Sequence, residues 1–220
     1  MNKLKNFVTS LHTATKRDYI GRMVNNKIIC MKKAKEYEFD YWDGDRSFGY
    51  GGYKYHPKYW NKVVKDFKDY YDLKDGSSIL DVGCGKGFML FDFQQLNKSF
   101  KLYGIDISEY AINNCKSEVS KYLKVASCEN LPFEDNSFDL VISINTIHNL
   151  DTNGCAKSLR EISRVSRKNK YIIVDAYRDE TERKKMFAWN LTAKTIMHVD
   201  EWKDFFKQNN YDGDYYWFNP

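Results

Sequence analysis

The chain has 220 residues, 42% of them apolar and only three of them proline, which suits one ordered domain with a small appendage and excludes a low-complexity or fibrous chain. The net charge of +5 is uneven: residues 1–35 hold nine basic side chains against one acid, Asp18, while the remainder holds 26 basic and 29 acidic. No apolar run approaches the roughly 20 residues that span a bilayer, and the N-terminus lacks the continuous apolar stretch of a secretory signal, so a cytoplasmic protein without a membrane segment is expected.

In chain order, residues 1–56 read as a basic helical arm and an aromatic loop, and 57–220 as the main domain. The arm is helical but weakly so over 16–38; it serves either as a contact for an anionic partner or simply as a solvated helix. The loop DYWDGDRSFGYGGYKY at 40–55 is broken by glycines, with 49, 51 and 52 as hinge candidates. A helix is expected after Pro57, carrying Trp60, Val63, Val64, Phe67 and Tyr71 at helical spacing. From residue 78 onward β-rich runs (SSILDV, KLYGID, LKVAS, FDLVISIN, KYIIVDAY) alternate with helical stretches (GFMLFDFQQL, SEYAINNCKSEVSKY, GCAKSLREISRVSR). Such alternation predicts a parallel sheet covered by helices on both faces, with ligands at the carboxyl ends of the strands. VDEWKDFFKQNNY then reads as a helix and GDYYWF as a closing strand.

Five widely spaced cysteines without a CxxC pair, and four scattered histidines, suggest neither a zinc site nor a disulfide framework, and no metal is expected. The chemical signal lies elsewhere. After the first strand, DVGCGKG places Gly83, Gly85 and Gly87 in a turn whose missing Cβ atoms let something come close to the backbone. The spacing is neither GxGxxG nor GxxxxGK[ST], which speaks against a dinucleotide or triphosphate loop. Asp106 stands at the end of the second strand, where an acid can accept bonds from both hydroxyls of a ribose; Ser108 is the better helix cap.

With ILDVGCGKG, GIDIS, SCENLPFEDNSFDLVISINTIHNL and LREISRV in this order, the chain resembles the class I S-adenosylmethionine-dependent methyltransferases, the small-molecule type, over about residues 57–220. The resemblance implies a seven-stranded, mostly parallel Rossmann-like sheet with helices on both faces and an N-terminal helical and aromatic lid. It implies S-adenosylmethionine as cofactor and S-adenosylhomocysteine as product. Carried onto this chain, Gly83, Cys84 and Gly85 would line the methionine part and Asp81 would stand near its ammonium group; Asp106 would hold the ribose and Ile107 the adenine face. Ser127, Cys128 and Glu129 would meet the adenine edge, and Ser143, Ile144 and Asn145 would close the pocket. Two departures are visible: Ser127-Cys128 where many relatives have Asp-Ala, and KNK at 168–170 in place of a Pro-Gly turn, read as a change confined to a surface turn.

His148, just beyond the fourth strand, is the candidate general base, with Asp175 after the fifth strand placed to orient either the substrate or His148; the alternative for His148 is a packed or loop-bonded ring. Tyr41, Trp42, Arg46, Tyr50 and Tyr53 of the loop, with Tyr177 and Arg178, are the acceptor-binding candidates. The loop serves either as a lid or as a cover for the sheet edge, and Arg178 either clamps an anion or faces solvent. The aromatic loop, WNLTAKT and GDYYWF together resemble an uncharacterised bacterial subgroup associated with sugar and surface-polysaccharide assembly. The expected reaction is therefore methyl transfer to a small acceptor, a hydroxyl of a sugar, a nucleotide-linked sugar or a phosphoramidate, by a monomer or homodimer. An RNA acceptor bound through the basic arm is the alternative, although no [DNS]PP[YFW] tetrad or Pro-Cys nucleophile follows the fourth strand.

Overall fold

The computed structural model describes residues 3–9, 11, 26–51 and 53–220; the tract 12–25, with three basic side chains of the arm, and the hinge candidate Gly52 lie outside the described residues. Seven strands form one sheet: β1 (Ser78–Val82), β2 (Lys101–Asp106), β3 (Leu123–Val125), β4 (Phe138–Ile144), β5 (Ser166–Tyr177), β6 (Met197–His198) and β7 (Asp214–Phe218). The order is β3-β2-β1-β4-β5, and the outer side of β5 is shared. There β7 pairs with Tyr171–Asp175, and the two-residue β6 continues along Ala176–Tyr177. All of these pairings are parallel. Leu4 adds a parallel bridge to Tyr215, so the start of the chain lies along the free edge of β7.

The helices are α1 (Lys27–Ala34), α2 (Phe39–Trp42), α3 (Pro57–Tyr70), α4 (Phe88–Leu96), α5 (Glu109–Asn113), α6 (Thr152–Val165), α7 (Glu180–Trp189) and α8 (Val199–Gln208). Their starts follow local chemistry. Pro57 sits at the first position of α3, and the Nδ1 of His56 accepts from the Lys58 N–H at 3.2 Å. Ser108 caps α5 by accepting from Ala111, Asp151 caps α6 from Gly154, and His198 with Glu201 makes a reciprocal box at α8.

Because side chains alternate along a strand, the sheet feeds two cores. Ile79, Leu140, Tyr171 and Ile173 pack with Val63, Val64, Phe67 and Phe93 of α3 and α4. Leu80, Val141, Ile172 and Val174 pack with Leu159 and Ile162 of α6 and with Trp202 and Phe206 of α8. Burying a side chain of this size stabilises by about 1.5–3 kcal/mol, so these layers set the sheet's rigidity.

Two expectations need correction. The stretch 108–122 is not one helix: α5 ends at Asn113, the Lys116 N–H turns away to the Lys86 carbonyl at 2.9 Å, and a 3₁₀ turn covers Ser117–Tyr122. Nor is KNK a turn. β5 runs through it from Ser166, with a shift in its pairing to β4 between Phe138 and Leu140, and Ser166 Oγ donates to the Asn169 carbonyl to hold that bulge. Among the described residues no helix is long and apolar enough to cross a membrane.

Candidate active site

Strand order reverses between β1 and β4, and the carboxyl ends of these strands open into a cavity of about 790 Å3. The glycine turn lies at its floor. The N–H groups of Gly83 and Cys84 both donate to the Ile105 carbonyl, at 2.8 and 2.9 Å, which ties the turn to β2. Gly83 has φ +86° and Gly85 φ +51°, the left-handed region that favours glycine. A Cβ at Gly83 would overlap the Thr146 hydroxyl, and one at Gly85 would stand 2.8 Å from the Trp42 ring. The close neighbours of Gly83 and Gly85 are thus side chains of the protein, from the segment after β4 and from the aromatic loop.

Asp106 is buried, and its carboxylate accepts from the N–H of Gly85 and of Ser108, both at 2.8 Å. Burial pushes its pKa up, against those backbone donors. Asp81 is buried on the same wall, and burial followed by repulsion from Asp106 pushes it up to about 8.

Most of the residues expected around a cofactor reach the cavity: Asp81, Gly83, Cys84 and Gly85; Asp106 and Ile107; Ser127, Cys128 and Glu129; Ile144 and Asn145. Ser143 does not line it. Its hydroxyl is buried and donates to the Val82 carbonyl at 3.1 Å, joining β4 to β1. Ile107 is 60% exposed, at the rim. Asn145, at φ +53°, and Asn149 each keep a buried side-chain oxygen without a hydrogen-bond partner.

The aromatic loop lies over the cavity and is fastened to the glycine turn. Lys86, between Gly85 and Gly87, is almost wholly buried and bonds both Asp43 oxygens at 2.7 Å, while the Tyr110 hydroxyl donates to Asp43 at 2.8 Å. The Trp42 indole N–H is shared between Ser108 Oγ at 2.8 Å and the Tyr37 carbonyl at 2.9 Å. Tyr41 and Tyr53 pack on Trp42 with ring centroids 5.0 and 4.8 Å away. At the other end the Tyr50 hydroxyl accepts from the N–H of Leu191 and Thr192, at 2.6 and 3.0 Å. The loop therefore bridges the turn after β1 and the segment after α7.

Of the acceptor candidates, Tyr41, Trp42, Arg46, Tyr50 and Tyr53 line the cavity. Tyr177 and Arg178 are corrections: neither does. Tyr177 packs on the His198 ring at 5.7 Å, and Arg178 pairs with Glu182 at 3.1 Å where the chain turns into α7. Their position after β5 brings them to the right edge of the sheet but points them outward. In their place the 189–194 segment contributes Trp189, Thr192 and Lys194. Lys86 and Thr146 were also unassigned in the sequence; a lysine within a glycine turn is a signal that could have been followed.

His148 and Asp175 are brought together, both buried. The His148 Nδ1 accepts from the Asp175 backbone N–H at 3.0 Å, and its Nε2 faces Asp175 Oδ1 at 3.5 Å. Burial pushes the imidazole down to about 3 and the carboxyl up to about 7. The ring is therefore neutral, with its one lone pair taken by the backbone and its Nε2–H on the side nearer the carboxylate. Such a ring can donate but has no free site at which to accept a proton.

A family described as a methyltransferase domain matches residues 73–213. Among curated relatives, a tRNA (carboxymethyluridine(34)-5-O)-methyltransferase of Arabidopsis thaliana is 34% identical over 145 residues, covering 65% of this chain and 33% of the relative. Phosphoethanolamine N-methyltransferase 3 of the same plant is 37% identical over 95 residues, covering 39% and 18%. The chain thus spans a third or less of the length of these two relatives. Among solved structures, the YcgJ protein from Bacillus subtilis superposes with a TM-score of 0.54 at 17% identity over 66% of each chain, which is a likeness of fold.

Proposed function

The chain belongs to the methyltransferase domain family and takes S-adenosylmethionine as its methyl donor, and from that premise we propose that it methylates a hydroxyl oxygen of a small acceptor held between the aromatic loop and the 189–194 segment, with Asp175 as general base. The observation that carries this reading is the buried Asp175 carboxyl in the cavity wall, pushed up to about 7 and faced by a neutral histidine N–H at 3.5 Å.

The residues present fit the donor. Asp81 is a buried carboxyl that forms no ion pair among the described residues, Asn145 has an orphaned buried oxygen and lines the same cavity, and Asp106 retains acceptor capacity beyond its bonds from Gly85 and Ser108. An ammonium group suits Asp81 and ribose hydroxyls suit Asp106. Ser127, Cys128 and Glu129 would meet the base, with Cys128 accepting from Ser158 at 3.3 Å and Glu129 paired to Lys157 at 3.6 Å. When bound, S-adenosylmethionine supplies a methyl group activated by its sulfonium.

The remaining work belongs to the protein. Trp42, Tyr41 and Tyr53 shut water out over the glycine turn, and positioning of this kind can supply roughly 7–11 kcal/mol of the barrier. Asp175 takes the proton from the acceptor hydroxyl. His148 Nε2 stands 3.5 Å from that carboxylate without a formed hydrogen bond, and its N–H would donate there when substrate binding draws the two together. The roles expected from sequence are thereby exchanged: the aspartate is the base and the histidine positions it. The resemblance noted above supports a sugar or nucleotide-linked sugar as the acceptor class.

The tRNA relative and the basic N-terminal arm favour a second reading, an RNA acceptor. One experiment separates the two. Labelled methyl from S-adenosylmethionine is offered to a cell lysate with the wild-type chain and with Asp175→Asn. Label in a small, nuclease-resistant product, lost with the variant, is the expected result; label in large nuclease-sensitive material refutes the small acceptor.

A further inference from the structure

Three cations in the cavity wall have no task in the reaction described so far. Lys35 follows α1, Arg46 belongs to the aromatic loop, and Lys194 comes from the segment between α7 and β6. Among the described residues none of the three forms an ion pair with a carboxylate. Of the other charges of the wall, Lys86 is engaged by Asp43 and Glu129 by Lys157, and burial disfavours the charged form of Asp175. Glu36, the remaining acid of the wall, forms no ion pair among the described residues and offsets one of the three cations. Asp81 and Asp106 face the donor. The acceptor side is thus left positive.

Two of the cations are placed by specific backbone features. A Cβ at Gly51, where φ is +82°, would overlap the Arg46 guanidinium; the bare glycine lets that group lie against the loop backbone. Lys194 is held beside the proton-transfer pair, because its N–H donates to the His148 carbonyl at 3.0 Å. Like charges gathered at one mouth repel each other unless an anion joins them, and the planar fork of arginine matches a carboxylate or phosphate.

We propose that the acceptor carries a phosphate or carboxylate group, and that Arg46 and Lys194, with Lys35, hold that anion at the mouth of the cavity so that the acceptor's hydroxyl lies at Asp175. The proposal rests on the preceding reading that a small acceptor occupies this cavity, and it adds the charge of that acceptor and the groups that select it.

The test uses the whole chain saturated with S-adenosylhomocysteine and titrated with inorganic phosphate by calorimetry at constant ionic strength. Wild type is expected to bind phosphate saturably. Arg46→Ala and Lys194→Ala should each weaken that binding about three- to tenfold, as for charge pairs partly open to solvent. Gly51→Ala retains every charge but displaces the guanidinium, and should weaken it comparably. No saturable binding by wild type, or equal affinity in the Arg46→Ala/Lys194→Ala double variant, overturns the proposal. In parallel, the labelled lysate product should be retained on an anion exchanger; a neutral product overturns the proposal, and a nuclease-sensitive one replaces it with RNA. Failure of the wild type to bind S-adenosylhomocysteine in the same calorimeter would count against the donor site instead, so the two readings fail separately.

Discussion

Replacing Asp81 with asparagine should stabilise the ligand-free protein while abolishing its grip on the donor. Burial and the nearby Asp106 raise the Asp81 carboxyl from 3.8 to about 8. Below pH 3.8 the group is protonated in both the folded and unfolded chain and costs nothing. Between 3.8 and about 8 the folded chain keeps a proton that the unfolded chain has released, so stability falls as pH rises; above about 8 the loss is complete. At about 1.36 kcal/mol per unit, the loss is about 1 kcal/mol at about pH 4.5 and about 5 kcal/mol at about pH 7.5. Asparagine resembles the protonated acid and avoids that loss. For a chain of this size about 1 kcal/mol moves Tm by about 2–4 °C, so Asp81→Asn should melt only a few degrees above wild type at about pH 4.5 and about 10–20 °C above it at about pH 7.5. The assay is thermal unfolding of both proteins across that range, with and without S-adenosylhomocysteine. Added ligand should raise the wild-type Tm and leave the variant nearly unmoved. A Tm difference independent of pH would refute the burial argument, and undiminished ligand binding by the variant would refute the pairing of Asp81 with an ammonium group.

Three further predictions follow from the geometry of the turn, the aromatic loop and the His148–Asp175 pair. In His148→Asn the shorter amide can still accept from the Asp175 N–H but cannot donate to its carboxylate, so the rising limb of kcat against pH, near 7 in wild type, should move up by about half to one unit. An unmoved limb would remove His148 from the mechanism. Asp43→Asn leaves the buried Lys86 without its counter-charge and should raise the Kd for S-adenosylhomocysteine about tenfold, about 1.4 kcal/mol, by loosening the aromatic loop; an unchanged Kd would mean that other contacts hold the loop in place. Gly83→Ala combines a strained φ of +86° with an overlap on Thr146, and should cost at least about 1–3 kcal/mol, seen as a lower denaturant midpoint; wild-type stability would show that the turn is free to rearrange.

The alternation of β-rich and helical runs was enough to predict a parallel sheet covered on both faces, because strand and helix periodicities and the shortness of the connections are local properties. The same holds for Ser108, whose place directly before a helical run made it the cap and left Asp106 free to face the cavity. Orientation was less legible. Tyr177 and Arg178 follow β5 as directly as Asp175 does, yet the turn into α7, capped by Asp179, sends them away from the cavity. Ser143 lies within β4 near its end and Asn145 just beyond it, but one bonds inward to β1 and the other borders the open space.

What the sequence determined by itself was the layered fold and the glycine turn and acidic strand end at the carboxyl edge of the sheet, since each is written in short stretches whose spacing constrains the backbone; the methyl donor came from the family resemblance that those stretches carry together. Tertiary structure alone decided which partners stand against the glycines, for Thr146 and Trp42 come from distant segments. It also brought His148 and Asp175 together, which is the ground for proposing which of the two takes a proton. That choice depends on burial and on a single backbone N–H, and neither exists until the chain has closed around them.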